Sequence, residues 1–223
     1  MGMLKIDHIR TMLEMPRVSE EWKKVYGRVF SDGDVQALYG QFESKLMASL
    51  ATYTDPIPHV LDMVQQLKLA GIQIGSTTGY TDSMMDVVTS QAAIKGYKPD
   101  FLVTANLVGN IGRPYPYMIF RNMEKLGTKS TKQVIKVGDT TSDIHEALNA
   151  GVWAVGVIIG SSEMGLSVQE FMALSDEEQQ SVMAKTKRIF EETGAHYTIQ
   201  TMKALPTLIE QINERLTKET VLA

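Results

Sequence analysis

The chain contains no cysteine, which removes disulfides, thiolate nucleophiles and zinc–sulfur sites from consideration. It contains no apolar run approaching the ~20 residues of a membrane span. Nor does it open like a secretory signal, because Lys5, Asp7, His8 and Arg10 interrupt any apolar stretch there; the expected location is the cytoplasm. Positive charge is not in excess: 22 Lys and Arg stand against 26 Asp and Glu, a formal net charge of −4. That balance argues against nucleic acid or an anionic membrane as partner. Internal repeats and low-complexity stretches are also absent.

What is present suits a packed globular protein. The 223 residues, 43% of them hydrophobic, give room for one large domain or one domain with a small appendage. The 14 methionines read as flexible core filler. Residues 1–53 read as helices only. Leu4, Ile9, Met12 and Leu13 recur at helical spacing, and Pro16 closes that segment. A second helix is expected from Glu20 to Phe30. A third, capped by Asp32 or Asp34, puts Val35, Leu38, Tyr39, Phe42, Leu46 and Leu50 on one face.

The pattern changes after Asp55-Pro56-Ile57-Pro58, a breaker cluster that reads as a hinge. Residues 54–223 then alternate short apolar strands with helices. Strands are expected at Ile72–Ser76, Phe101–Thr104, Val134–Val137, Val152–Ile158 and His196–Ile199. Helices are expected at His59–Ala70, Thr81–Lys95, Tyr115–Leu126, Ser142–Asn149, across the polar stretch Ser167–Glu192, and from Met202 onward. Such alternation means an α/β fold with a parallel sheet covered on both faces. The helical block at 1–53 is too small to bury much core alone. It reads more naturally as an insertion in a loop of the sheet domain.

The strongest chemical signal is Val137-Gly138-Asp139-Thr140-Thr141-Ser142-Asp143, followed by Ala150-Gly151 and the apolar Trp153–Val157. A strand delivers Asp139 to its C-terminal end, and Asp143 lies in the first turn of the next helix. Ligands of open parallel sheets bind beyond such strand ends, and two carboxylates there suit a hard cation such as Mg²⁺. Ile74-Gly75-Ser76-Thr77-Thr78-Gly79-Tyr80 is a short strand ending in hydroxyls before a helix. Gly112-Arg113-Pro114 offers a cation. Lys5 and His8, at i and i+3, share one helix face.

These motifs, in this order, resemble those of the haloacid dehalogenase (HAD) superfamily. Arginine in a G-R-P setting, together with Met1–Arg10, resembles its phosphonoacetaldehyde hydrolase branch. The resemblance covers essentially the whole chain, including Gly160–Glu163 and Gly194–Ile199. It implies a HAD-like Rossmannoid parallel sheet (54–223) with a small all-helical cap domain (1–53, partial). It implies that Lys5 forms an imine with the substrate aldehyde, with His8 and Tyr80 nearby and Met1, Gly79 and Tyr80 on the substrate. Thr78 and Arg113 would hold the phosphoryl group, with Asp139 and, in a second shell, Asp143 toward Mg²⁺. The reaction implied is phosphonoacetaldehyde plus water to acetaldehyde plus phosphate, as part of phosphonate breakdown, in a homodimer joined through the cap.

One part of the family pattern is not found. The first motif, an apolar strand ending in D-x-A-G-T whose first Asp is the nucleophile, has no match among the 223 residues. Asp32-Gly33 follows no apolar strand. The expectation is a chain that begins one βα unit late, with weakened or absent Mg²⁺ binding and no hydrolysis. The alternatives are an active hydrolase with a misassigned start, or a non-catalytic binding or dimerisation partner. A receiver-like domain also places Asp at strand ends, but the leading helices and the GDTTSD spacing count against it. In HAD folds the first strand is central, so its absence predicts an apolar slot between the strands at 72–76 and 134–137.

Overall fold

The structure is a computed structural model that describes residues 2–221, with side chains through Lys218. Three helices come first: α1 (Lys5–Glu14), α2 (Pro16–Tyr26) and α3 (Asp32–Ser49), and α1 packs on the other two. Two expectations shift here. Pro16 opens α2 rather than only closing the segment before it, because proline lacks the N–H that the first helical turn leaves unbonded anyway. Ser31, not Asp32 or Asp34, is the N-cap of α3; Asp34 is the returning carboxylate of its capping box.

The remainder alternates as expected: α4 (Val60–Leu69), β1 (Gly75–Thr78), α5 (Asp82–Ile94), β2 (Phe101–Thr104), α6 (Tyr117–Leu126), β3 (Ile135–Gly138), α7 (Thr141–Ala150), β4 (Trp153–Val157), α8 (Val168–Met172), α9 (Asp176–Thr193), β5 (Tyr197–Ile199) and α10 (Leu205–Val221). The polar stretch read as one helix is two. Ser175 and Glu178 form a second capping box that restarts the helix, and this S-x-x-E signal was present in the sequence.

All strand pairs are parallel, but they form two sheets: β1 with β2, and β3–β4–β5. Central β4 is covered on both faces. Val155 and Val157 pack with Met63 and Leu67 of α4 and with Leu205, Leu208 and Ile212 of α10. Ala154 packs with Ile144 and Ala147 of α7 and Phe190 of α9. The alternation of one strand thus feeds two cores. Gly156 is required on the second face, since a Cβ there would lie 2.6 Å from Cγ of Phe190.

The two sheets are separated by the slot that the sequence predicts. A cleft of about 800 Å³, half open to solvent, runs between β1 and β3, walled by the partly buried Ile72, Ile74, Ile135 and Val137 and flanked by α10 and α6 side chains such as Ile212 and Ile119. Because the slot is open on part of its boundary, its apolar walls are exposed to water rather than enclosing a dry void.

Two outcomes follow. The 223-residue polypeptide is expected to bind an apolar dye such as ANS and to melt with an enthalpy well below the usual ~0.7 kcal/mol per residue; calorimetry checks this, and a sharp two-state monomer with no dye binding would contradict it. Gly156→Ala is expected to cost about 1–3 kcal/mol by overpacking Phe190, read as a shift in the urea midpoint.

Candidate active site

The C-terminal ends of β1 and β3 meet the N-terminus of α1. Gly79 makes this approach possible: a Cβ there would sit 2.5 Å from the carbonyl oxygen of Met3. Helix α1 therefore seats against the β1–α5 loop at backbone distance and brings Lys5 over the ring of Tyr80, 5.0 Å from its centroid. Burial, reinforced by the charge of Arg113, pushes the Lys5 ammonium below its ordinary value of 10.5, while Asp139 opposes the shift. His8, one turn along, is also lowered, by burial first and by Lys5 among its neighbours. Thr78 closes β1, and its hydroxyl accepts from the Tyr80 N–H at 3.1 Å. Of the residues expected at the site, Lys5, His8, Gly79, Tyr80, Arg113 and Asp139 are brought to this one region; Met1 lies outside the described residues.

Arg113 does not face Thr78. Its Nη2 donates to the carbonyl and hydroxyl oxygens of Thr77 at 2.8 and 2.7 Å, and its Nη1 donates to the Gly2 carbonyl at 3.0 Å. Its Nε reaches Glu146 Oε2 at 2.9 Å and Asp143 Oδ1 at 3.1 Å. Lys136, from the middle of β3, completes the cluster. Its Nζ lies 2.9 Å from Asp143 Oδ1 and 3.2 Å from Glu146 Oε2, and donates to Thr77 Oγ1 at 2.8 Å. The side chains of Arg113, Asp143 and Glu146 are 9%, 4% and 0% exposed. Burial opposes the charge on Asp143, but Lys136 and Arg113 outweigh it and hold that carboxyl down at about 2.

Thr77, Lys136 and Glu146 were not singled out in the sequence. A lysine inside the apolar run Val134–Gly138 and a glutamate at i+3 from Asp143 were the available signals. Asp143 also closes the capping box of α7, accepting from the Thr140 N–H and hydroxyl at 3.2 and 2.7 Å. Asp139 accepts from the Ser162 N–H and hydroxyl at 3.1 and 2.7 Å, which ties the β3 end to the β4–α8 loop.

Three comparisons bear on this arrangement. The sequence profile of the haloacid dehalogenase-like hydrolases matches residues 6–157. A phosphonoacetaldehyde hydrolase of Lysinibacillus sphaericus is 75% identical over 220 residues, 99% of this chain and 82% of the relative. The chain belongs to the phosphonoacetaldehyde hydrolase family. A Bacillus thuringiensis member is 46% identical over 96% of the chain and 81% of its own length. The crystal structure of a phosphonoacetaldehyde hydrolase-like protein from Oleispira antarctica superposes with a TM-score of 0.93 at 34% identity, over 98% of this chain and 79% of that one. The expected HAD-like α/β architecture is thereby established. No helix among the described residues is long and apolar enough to cross a membrane.

Mg²⁺ keeps several waters and is usually held by one or two carboxylates, so the relevant groups here are the carboxylates at the end of β3. Asp139 offers one carboxylate, whereas Asp143 is committed to Thr140, Lys136 and Arg113.

The ion cluster makes two measurable demands. Glu146→Gln is expected to cost about 3–5 kcal/mol by leaving buried cations underpaired, and adding Lys136→Met should recover much of that loss in a double-mutant cycle. Asp143 sits below its unfolded value of 3.8, so its contribution is complete above about pH 4. It should disappear as pH falls toward 2, removing on the order of 2 kcal/mol, visible as a lower urea midpoint that Asp143→Asn does not show.

Proposed function

We propose that this site cleaves the carbon–phosphorus bond of phosphonoacetaldehyde when a carboxylate nucleophile joins it, and that the 223-residue polypeptide alone carries the aldehyde-handling part of that chemistry. The observation that carries the reading is Lys5: a half-buried amine, depressed by burial and by Arg113, seated on Tyr80 above the ends of β1 and β3. A neutral amine attacks an aldehyde; an ammonium does not. Condensation of Lys5 with the aldehyde releases water and gives an imine. The imine accepts the electron pair of the breaking carbon–phosphorus bond as an enamine, which avoids a bare carbanion. Enamine protonation and hydrolysis return the amine and acetaldehyde. His8, on the same face one turn away, is placed for these proton transfers.

The phosphoryl half is supported less by these residues. Phosphoryl transfer needs a nucleophile, and the D-x-A-G-T segment that would supply it is not among the 223 residues. Asp139 and Asp143 do not substitute, because Ser162 holds the first and two cations with Thr140 hold the second. Arg113 is likewise engaged with Thr77 and Gly2. Mg²⁺ binding of useful strength belongs with the form that adds a further carboxylate beside Asp139. The slot between β1 and β3 favours a second reading, in which a polypeptide supplying one more strand is an active hydrolase.

The partner outside the substrate is a second copy, docked through the helical segment 1–53 acting as a cap. Val25, Tyr26 and Val29 are 72%, 57% and 61% exposed there, more apolar surface than α2 needs for its own packing. A cytoplasmic address is proposed with it, and the formal net charge of −4 argues against nucleic acid or an anionic membrane as a partner.

Incubation with phosphonoacetaldehyde and borohydride is expected to trap one adduct at Lys5, with a pH midpoint below 10.5, while inorganic phosphate stays at background. Lys5→Arg should abolish trapping. Phosphate release by this polypeptide at a rate typical of enzymes, roughly 1 per second or faster, would overturn the division of labour. Light scattering should report a dimer that Val25→Asp with Val29→Asp converts to monomer.

A further inference from the structure

We propose that Asp82 is a positioning residue: it ties together the two loops that grip the start of α1, and so fixes how deeply Lys5 is seated over the ends of β1 and β3.

The grip has two sides. On one, Gly79 lies so close to Met3 that a Cβ would stand 2.5 Å from its carbonyl oxygen. On the other, Gly112 lies against Leu4, where a Cβ would stand 3.2 Å from Cγ. Leu4 also packs with the buried Val103, Ala105 and Met118, and Lys5 is the next residue. The seat of Lys5 therefore depends on the spacing between the β1–α5 loop, which carries Gly79, and residues 105–112, which follow β2. Pairing of β1 with β2 ends at Thr78 and Thr104. Beyond those residues the two loops need another link.

Asp82, at the start of α5, supplies it twice. Its carboxylate accepts from the hydroxyl of Thr104, a residue only 3% exposed, and a bond to an ionised acceptor is of the stronger kind. Its N–H donates to Asn106 Oδ1 at 3.1 Å. Asn106 passes the link on, its Nδ2 donating to Asn110 Oδ1 at 2.8 Å. Asn110 has a φ of 62°, a left-handed turn that asparagine visits more readily than most residues. The Asn110 N–H returns to the Ala105 carbonyl at 2.8 Å. The second loop is thus closed on itself just before Gly112 and pinned to α5. A carboxylate in the first turn of a helix also favours that helix through its dipole, but that role stays within α5. The charges that face Lys5 are Arg113 from the segment after β2, Asp139 from the end of β3 and His8 from α1, beside the Tyr80 ring. Asp82 acts on Lys5 through the loops and not through its own charge. The inference rests on the reading of Lys5 as the amine that meets the aldehyde, and the test separates the two.

The titration of Lys5 is followed by NMR on the 223-residue polypeptide carrying isotope-labelled lysine, with no aldehyde present; loss of the signal in Lys5→Arg assigns it. Borohydride trapping runs in parallel. Asp82→Ala and Thr104→Val are each expected to raise the Lys5 midpoint toward 10.5 by roughly half a pH unit, leaving about threefold less neutral amine at a fixed pH. Both should also speed hydrogen exchange at residues 5–9. Asp82→Asn drops the charge but keeps an acceptor for Thr104, and should restore the parent midpoint. A midpoint that falls in Asp82→Asn and Asp82→Ala alike overturns the proposal, because the charge then acts directly. A lower Tm with an unmoved midpoint also overturns it, as the mark of a helix-start carboxylate alone; the imine reading then stands if trapping persists. Should Asp82→Ala not fold, the isosteric Thr104→Val decides by the same shift. A parent chain that titrates low yet traps no aldehyde sinks the imine reading, while the variants' midpoints still decide the role of Asp82.

Discussion

An arginine with almost no access to water links the two sheets of this molecule. Arg113 reaches Thr77 on β1, Gly2 ahead of α1, and Asp143 and Glu146 on α7, while Lys136 reaches Thr77, Asp143 and Glu146 from β3. In a complete parallel sheet, backbone hydrogen bonds between neighbouring strands would carry that load. Here two cations and two carboxylates carry it in a low-dielectric setting, where each charge is tolerable only while the others are in place. Sheet alignment, the seating of α1 and the charge state of Asp143 are thus one problem.

The fold was legible in the sequence wherever periodicity and turn chemistry agreed. The strand at Phe101–Thr104 falls where it was expected, and α4 and α6 end beside Gly71 and Gly127, each with positive φ. The first strand was read as Ile72–Ser76, but pairing begins at Gly75 and runs to Thr78. Ile72 and Ile74 are apolar because they wall the slot, not because they lie in the paired strand. Hydrophobic pattern reports burial; pairing depends on a neighbour that single-sequence patterns do not specify.

The site was legible in its outline and not in its electrostatics. Lys5, Tyr80 and Asp139 converge because each sits at the same end of a parallel strand or on the helix docked there. The role of Arg113 could not be read, because its partners come from distant segments of the chain. Glu146 is the clearest case: only its i+3 spacing from Asp143 set it apart from a solvated helix glutamate, yet its side chain is fully buried.

Gly79 has a consequence beyond fit. A hydrogen in place of a methyl lets α1 press against the β1 loop, and that pressure is what dehydrates the Lys5 amine. A Cβ at position 79 would force α1 and the loop apart and return water to Lys5, so the smallest residue of the loop sets the hydration of an amine carried by another element.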